Sequence, residues 1–215
     1  MGAYRKRGSP GLGLNMTNAS LCQTTHPRIL PGKTVPAFCN RCGAKAEQRV
    51  PRGETLARPV CRRCGHIQYD NPKNVVAMIA EADDGRILMC RRATHPGRGR
   101  WVFPGGFQEN GETSAEGATR ETREETRAEV RAAGLYLVIN APALNEVFLI
   151  HRGRLTNDNL GPTRECDAVA LMNEQDIPWQ QLAFPAIKTC LEHYFEDRRS
   201  GLYPIHALDL SLQNC

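Results

Sequence analysis

Carboxylates crowd one short part of the chain, between Gly106 and Thr126, where glutamate is the most frequent residue. This stretch directly follows the turn-like residues Pro104, Gly105 and Gly106. Like charges at this density repel one another unless water solvates them or a cation binds among them. The sequence therefore poses a choice between a solvated acidic surface and a cation site.

The acidic stretch carries the start signal of a helix. Thr113 as N-cap and Glu116 three residues later form a capping box, which predicts a helix from Ser114 to about Thr126. Positions i, i+3 and i+4 of a helix share one face. The predicted helix thus gathers three carboxylates on one side: those of Glu121, Glu124 and Glu125.

The residues around these carboxylates favour the cation site. Arg120, four residues before Glu124, can pair with it and orient it, and Glu112 lies just before the helix start. Gly106 has no side chain to block access to its carbonyl oxygen. Hard oxygen ligands suit Mg²⁺ or Mn²⁺, which in turn suit phosphate substrates. The alternation of Arg and Glu over 120–127 also fits a solvated helix face, but that alternative leaves the other positions unexplained.

A second metal site is predicted nearer the N-terminus. The pattern Cys39-x₂-Cys42-x₁₈-Cys61-x₂-Cys64 has the spacing of a four-thiolate structural zinc site. About thirty residues with few large apolar side chains need such a metal to fold. Four unrelated reduced cysteines are the alternative, and His66 is an alternative ligand.

Charge and the remaining cysteines narrow the class of protein. Residues 1–38 carry five basic and no acidic residues, and the rest carries 23 of each sign, which argues against a large nucleic-acid footprint. Nine cysteines fit a metal site in a reducing compartment better than a disulfide framework. No apolar run approaches the ~20 residues that span a bilayer. A cytoplasmic protein without membrane contact is expected. Five cysteines lie outside the paired motifs: Cys22, Cys90, Cys166, Cys190 and Cys215.

The chain divides into four predicted segments. Residues 1–37 read as a disordered tail, in which Met16 is an alternative start and a transit peptide an alternative interpretation. Residues 38–70 form the zinc ribbon, 71–203 the main domain and 204–215 a C-terminal tail.

Within 71–203, a mixture of strands with two helices predicts an α+β sandwich. The second helix begins at Pro185 and runs to about Arg199. The predicted strands are Val75–Glu81, Arg86–Arg92, Trp101–Phe103, Leu135–Asn140, Val147–Arg154 and Ala168–Met172.

The spacing from Gly106 through Glu112 and Arg120 to Glu125 resembles the Nudix box, G-x₅-E-x₇-R-E-U-x-E-E-x-G-U, where U is aliphatic. Two positions depart from this pattern: Thr122 replaces an aliphatic residue and Arg127 the late glycine. The zinc ribbon and the segments at 69–73, 99–106, 165–166 and 182–184 are similar to ribbon-bearing Nudix hydrolases, among them the plant FAD pyrophosphatase and its bacterial relatives.

This resemblance implies a Nudix fold, an α/β/α sandwich, and Mg²⁺-dependent hydrolysis of a dinucleotide or nucleoside diphosphate derivative such as FAD or ADP-ribose, releasing AMP. It makes Glu121, Glu124 and Glu125 metal ligands together with the carbonyl of Gly106. Glu112 becomes an outer ligand or positions water. Arg120 locks Glu124.

Substrate contacts and the general base are less defined by the resemblance. Glu165 is a candidate for either role, and the aromatic candidates for stacking are Trp101, Phe103 and Phe184. A homodimer that forms through the ribbon or the first strands is one expectation for the assembly. The alternatives are a Nudix enzyme for NADH, a nucleoside triphosphate or an RNA cap, and a non-catalytic nucleotide-sensing regulator.

Overall fold

The computed structural model describes residues 36–157 and 159–210. Almost all of the predicted N-terminal tail, with Met16 and Cys22, lies outside these residues, as does Cys215. The chain forms two compact units that divide after Gln68. No helix in the described part has the length and hydropathy needed to span a bilayer.

The first unit is a two-stranded ribbon, as predicted. Strands β1 (Ala46–Arg49) and β2 (Arg58–Cys61) pair antiparallel. A tight turn follows each cysteine pair, and its backbone passes through positive φ at Gly43 (71°) and Gly65 (69°). Only glycine adopts this conformation at little cost, which explains the glycine directly after each pair.

The second unit is built on a mixed sheet, in which eight strands take part within the described residues. The strand order is β10-β7-β8-β3-β4-β5, with β6 paired to β3 and β9 to β4. β3 is parallel to β8, and β7 is parallel to β10. The strands are β3 (Lys73–Glu81), β4 (Ile87–Arg92), β5 (Trp101–Val102), β6 (Gly105–Phe107), β7 (Val130–Ala141), β8 (Glu146–Leu155), β9 (Cys166–Met172) and β10 (His206–Asp209).

Two helices cover the two faces of this sheet. Helix α1 (Ser114–Thr126) buries Ala118 against Val76 and Met78 of β3. Helix α2 (Pro185–Ser200) packs its apolar side against Ala77 and Ile79, which point the other way from the same strand. The predicted α/β/α sandwich is therefore confirmed, and α1 lies on one face of its central strand.

The C-terminal end of the chain differs from the prediction. Residues 204–215 were expected to form a tail, but β10 lies inside that range and pairs with β7. The amide of Leu210 donates to the carbonyl of Asn140 at 2.8 Å, which extends the pairing. A strand of four residues is too short for its alternation to stand out in the sequence, and its partner lies much earlier in the chain.

Helix α1 ends in a left-handed residue that is not glycine. Arg127 has φ 62° and ψ 3°, and its amide donates to the carbonyl of Arg123 at 2.8 Å. This conformation crowds a Cβ and costs an ordinary residue about 1–2 kcal/mol. Arg127 stands where the Nudix box pattern has glycine. It therefore keeps the left-handed turn, at the cost of backbone strain.

Arg127→Gly should stabilise the protein. The relieved strain exceeds the entropy that glycine adds to the unfolded chain, so we expect the free energy of unfolding to rise by about 0.5–1 kcal/mol. Urea denaturation of the purified protein measures it. The matched control is Arg123→Gly, an exposed position with helical backbone, which should lower the same quantity by about 1 kcal/mol. Equal effects at the two positions would contradict this account.

Candidate active site

The N-terminus of α1 is fixed by the predicted capping box. The Thr113 hydroxyl accepts from the Glu116 amide at 3.2 Å, and the Thr113 amide donates to the Glu116 carboxylate at 2.8 Å. Thr122, the departure from an aliphatic residue, is fully buried, and its hydroxyl donates to the carbonyl of Ala118 at 2.7 Å. The hydroxyl is therefore satisfied within the helix, and the position still packs against the sheet.

Arg120 is the centre of the carboxylate cluster. Its guanidinium binds both oxygens of Glu112, through Nε at 3.1 Å and Nη2 at 2.9 Å. The same group donates from Nη1 to Glu121 at 2.8 Å and to Glu124 at 3.1 Å, and from Nη2 to the carbonyl of Phe107 at 3.1 Å. Glu112, then Glu121, raises the pKa of Arg120, so the cation is permanent. One arginine thus orients three carboxylates, two more than the expected Glu124.

Glu112 is fully engaged by protein donors. Besides Arg120, the amide of Glu109 donates to its Oε1 at 2.8 Å. Arg120 first, and then this amide, lower the pKa of Glu112. The resemblance implies that Glu112 is an outer ligand or positions water, and this role stays a prediction. In the structure its carboxylate also holds Arg120.

Two α1 carboxylates, Glu125 and Glu121, are shielded from solvent, although Arg120 pairs with the second of them. Glu125, 5% exposed, accepts from the amide of Gly105 at 2.9 Å, yet burial raises its pKa to about 7. Burial also raises the pKa of Glu121, against the opposing effect of Arg120. The negative charge of Glu165 acts in the same direction on both groups. A cation bound here would relieve these repulsions.

The three predicted metal ligands do not form one tight group. Within the described residues, Glu121, Glu124 and Glu125 are not among the sets of three ligand atoms that lie within 4.8 Å of one another. Arg120 holds the first two, whereas the third turns to Gly105. Mg²⁺ commonly takes one or two carboxylates and completes its shell with water and substrate phosphate. A wider spacing is compatible with such a site.

Strand β6, which precedes α1, approaches the carboxylate of Glu121 very closely. A Cβ on Gly106 would lie 2.6 Å from the carboxylate atoms of Glu121. A Cβ on Gly105 would instead lie 2.4 Å from the Ala77 side chain and 2.6 Å from the Val76 carbonyl. The atoms next to Gly106 are the end of a flexible side chain, whereas the atoms next to Gly105 include the backbone of β3.

Alanine at these two glycines should therefore give different defects. Gly106→Ala displaces the Glu121 carboxylate and should lower kcat by about 100-fold in a protein that still folds. Gly105→Ala cannot be accommodated by a side-chain shift and should lower the free energy of unfolding by about 1–3 kcal/mol or more. Steady-state kinetics and urea denaturation of both variants measure these effects. A Gly106→Ala enzyme with normal kcat would contradict the close approach.

The three aromatic residues predicted to contact substrate differ in their exposure to solvent. Phe103 is 3% exposed within the core beneath α2 and is not available to a ligand. Trp101 and Phe184 are half-buried, beside the guanidinium groups of Arg91 and Arg92 at 6.0 and 5.7 Å from their rings. Phe184 thus offers an aromatic face next to a cation whose charge also lowers the pKa of Glu125.

Glu165 is exposed on the loop that precedes β9. The Thr163 hydroxyl donates to the carbonyl of Glu125 at 3.2 Å, and the amide of Glu165 donates back to that hydroxyl at 3.3 Å. This pair of bonds ties the loop to the end of α1. Glu165 was predicted from the sequence, whereas Arg92 was missed because no motif marks it.

The four ribbon cysteines converge as the spacing predicted. Their ligand atoms all lie within 4.8 Å of one another, with Sγ–Sγ distances of 3.8 Å for Cys39–Cys64 and 3.5 Å for Cys42–Cys61. The amides of Cys64 and Arg63 point at the Cys61 sulfur at 3.4 and 3.3 Å, and the first of them is the main cause that lowers the pKa of Cys61 to about 6. The set has the chemistry of a thiolate metal site.

Comparison with protein families covers both units. A family model described as NUDIX domain matches residues 71–193, and one described as Nudix N-terminal matches residues 37–70. A crystal structure of a NUDIX hydrolase from Nitrosomonas europaea is 39% identical, with a TM-score of 0.76. The match covers 80% of this chain and 99% of that one.

Curated relatives match over shorter stretches. An ADP-ribose pyrophosphatase of Methanocaldococcus jannaschii is 38% identical over 74 residues, which are 34% of this chain and 43% of the relative. Nudix hydrolase 19, chloroplastic, of Arabidopsis thaliana is 30% identical over 103 residues, which are 47% of this chain and 23% of the relative. The matched stretch spans less than half the length of these curated relatives.

Proposed function

Because this chain belongs to the Nudix family, we propose that it is a Mg²⁺-dependent pyrophosphatase that hydrolyses the diphosphate of ADP-ribose or FAD and releases AMP. The observation that carries the proposal is the array around Arg120, which orients Glu112, Glu121 and Glu124 beside the buried Glu125. The archaeal relative described as an ADP-ribose pyrophosphatase supports this substrate class.

The cation, Mg²⁺ or Mn²⁺, would be held by Glu121, Glu124 and Glu125 with the carbonyl of Gly106. These hard oxygen donors fit it, and a bound cation would offset the burial that raises the pKa values of Glu121 and Glu125. When bound, the cation polarises phosphoryl oxygens and lowers the pKa of water.

The chain's own residues would orient the reaction. Arg120 fixes the directions of the Glu121 and Glu124 carboxylates, because one planar guanidinium binds both. Glu165 is the proposed general base that takes the proton from the attacking water. It is an exposed carboxylate whose charge raises the pKa values of Glu121 and Glu125. Phe184, backed by Arg92, is the proposed stacking surface for the ring system of the substrate.

The ribbon is proposed to bind a structural Zn²⁺ through Cys39, Cys42, Cys61 and Cys64. All four coordination positions would be taken by thiolates, so this site has no open position for catalysis. Its role would be to fold a unit whose apolar core is small.

The test is Mg²⁺-dependent release of AMP from FAD, ADP-ribose, NADH and NAD⁺ at equal concentrations. The proposal expects turnover of ADP-ribose or FAD well above that of the two nicotinamide dinucleotides. A preference for NADH would keep the assignment to the enzyme class and change the proposed substrate. No turnover of any of them by folded, zinc-bound protein would favour a nucleotide-sensing regulator.

A further inference from the structure

A second group of metal-ligating side chains lies in the core next to the α1 carboxylates. Cys90 in β4, Cys166 at the start of β9 and Glu125 each present a ligand atom, and the three atoms lie within 4.8 Å of one another. The Cys90 sulfur is 3.9 Å from Oε2 of Glu125. Both thiols are fully buried. Elsewhere in the described residues, only the four ribbon cysteines form such a group.

The spacing matches that of a soft-metal site. Ligands at about 2.3 Å for sulfur and about 2.1 Å for oxygen around a tetrahedral ion lie roughly 3.5–3.8 Å apart. The ribbon thiols show this range, at 3.5 and 3.8 Å. The 3.9 Å between Cys90 and Glu125 is close to it, so small side-chain shifts would bring these ligands around one ion.

Strand register favours a bridging ion over a disulfide. Cys90 lies opposite Val169 and Cys166 opposite Arg92, so the two cysteines are diagonal neighbours with a bulge between them. A disulfide needs Cα atoms within about 4.4–6.8 Å, whereas diagonal neighbours on paired strands lie about 7–8 Å apart. A metal ion spans the additional distance between the sulfurs.

We propose that Cys90, Cys166 and Glu125 form a binding site for a soft divalent cation such as Zn²⁺ or Cd²⁺, and that its occupation inhibits the enzyme. Thiolates select such ions over Mg²⁺, and binding would release one proton from each thiol to solvent. The bound ion would take Glu125 away from the catalytic cation. The site rests on the cluster alone, and the inhibition rests on the proposed function.

Metal content tests the binding directly. Zinc-loaded protein is incubated with Cd²⁺, freed of excess metal by gel filtration, and analysed for total zinc plus cadmium. The proposal expects Cys90→Ser and Cys166→Ser each to retain about one metal ion per chain fewer than the wild type. Cys190→Ser, at a buried cysteine in α2, is the matched control and should retain the wild-type amount. Equal metal content in all four proteins would overturn the site.

Inhibition is measured in a separate experiment. The rate of AMP release by each protein with Cd²⁺ is divided by the rate of the same protein without it. In excess Mg²⁺, Cd²⁺ should reduce the relative rate of the wild type and of Cys190→Ser by at least ~10-fold. It should reduce the rates of Cys90→Ser and Cys166→Ser by less than ~2-fold. Uptake of the additional ion at full rate would overturn the inhibitory role. Uptake by a protein that hydrolyses nothing even without cadmium would contradict the proposed function and support the binding site.

Discussion

Replacing Glu124 with glutamine should lower kcat by about 10²–10⁴-fold while the protein stays folded. The substitution removes one negative charge and one metal-binding oxygen, and the lost cation stabilisation of the transition state amounts to about 3–5 kcal/mol. Glu124 is exposed, and Arg120 retains Glu112 and Glu121 as partners, so stability should change little. Steady-state kinetics with saturating Mg²⁺ measures the effect.

The control for Glu124→Gln is the same change at Glu129. This glutamate is exposed just beyond the end of α1 and belongs to none of the contacts around Arg120. Glu129→Gln should keep kcat within about twofold of the wild type. Near-normal turnover by Glu124→Gln would remove the helix-face carboxylates from the mechanism.

Replacing Cys61 with serine should unfold the ribbon unit. Cys61 is 1% exposed and its sulfur accepts two amides, so the change affects the most enclosed part of the predicted zinc site. Structural zinc contributes about 10–16 kcal/mol of binding free energy in small peptides, far more than two short strands can supply. We expect the loss of one bound zinc ion per chain, measured by metal analysis, and rapid proteolysis within 36–68, measured by limited digestion with mass spectrometry.

Arg62→Gln provides the matched control in the same turn. Arg62 is exposed and pairs with Glu47 at 2.7 Å, a surface ion pair that contributes about 0–1 kcal/mol. This variant should keep its zinc and resist protease like the wild type. A Cys61→Ser protein that holds as much zinc per chain as the wild type, through His66 for example, would contradict the four-thiolate assignment.

Sequence alone predicted helix α1 well because the information is local. The capping box fixes the first turn, and the 3.6-residue period places the glutamates. The helix bounds, Ser114 to Thr126, match the prediction. The cysteine spacing likewise defines the ribbon because each ligand pair lies within one turn of the chain.

The parts that sequence could not predict depend on distant pairings. Cys90 and Cys166 are far apart in the chain and meet only because β4 pairs with β9. The aromatic type of Phe103 made it a candidate for stacking but does not show which side of the sheet it faces, and the structure places it in the core. Arg120 pairs with Glu124 as expected, and the sequence did not show that its bidentate partner is Glu112 from the preceding loop.

The most direct test of the central claim is a Mg²⁺ titration of AMP release from ADP-ribose and FAD by wild-type protein that retains its zinc. We predict no release when Mg²⁺ is absent, a rise to saturation as it is added, and loss of release when a chelator removes it. AMP release that persists at the same rate without Mg²⁺ or Mn²⁺ would contradict the assignment of the α1 carboxylates as a catalytic cation site.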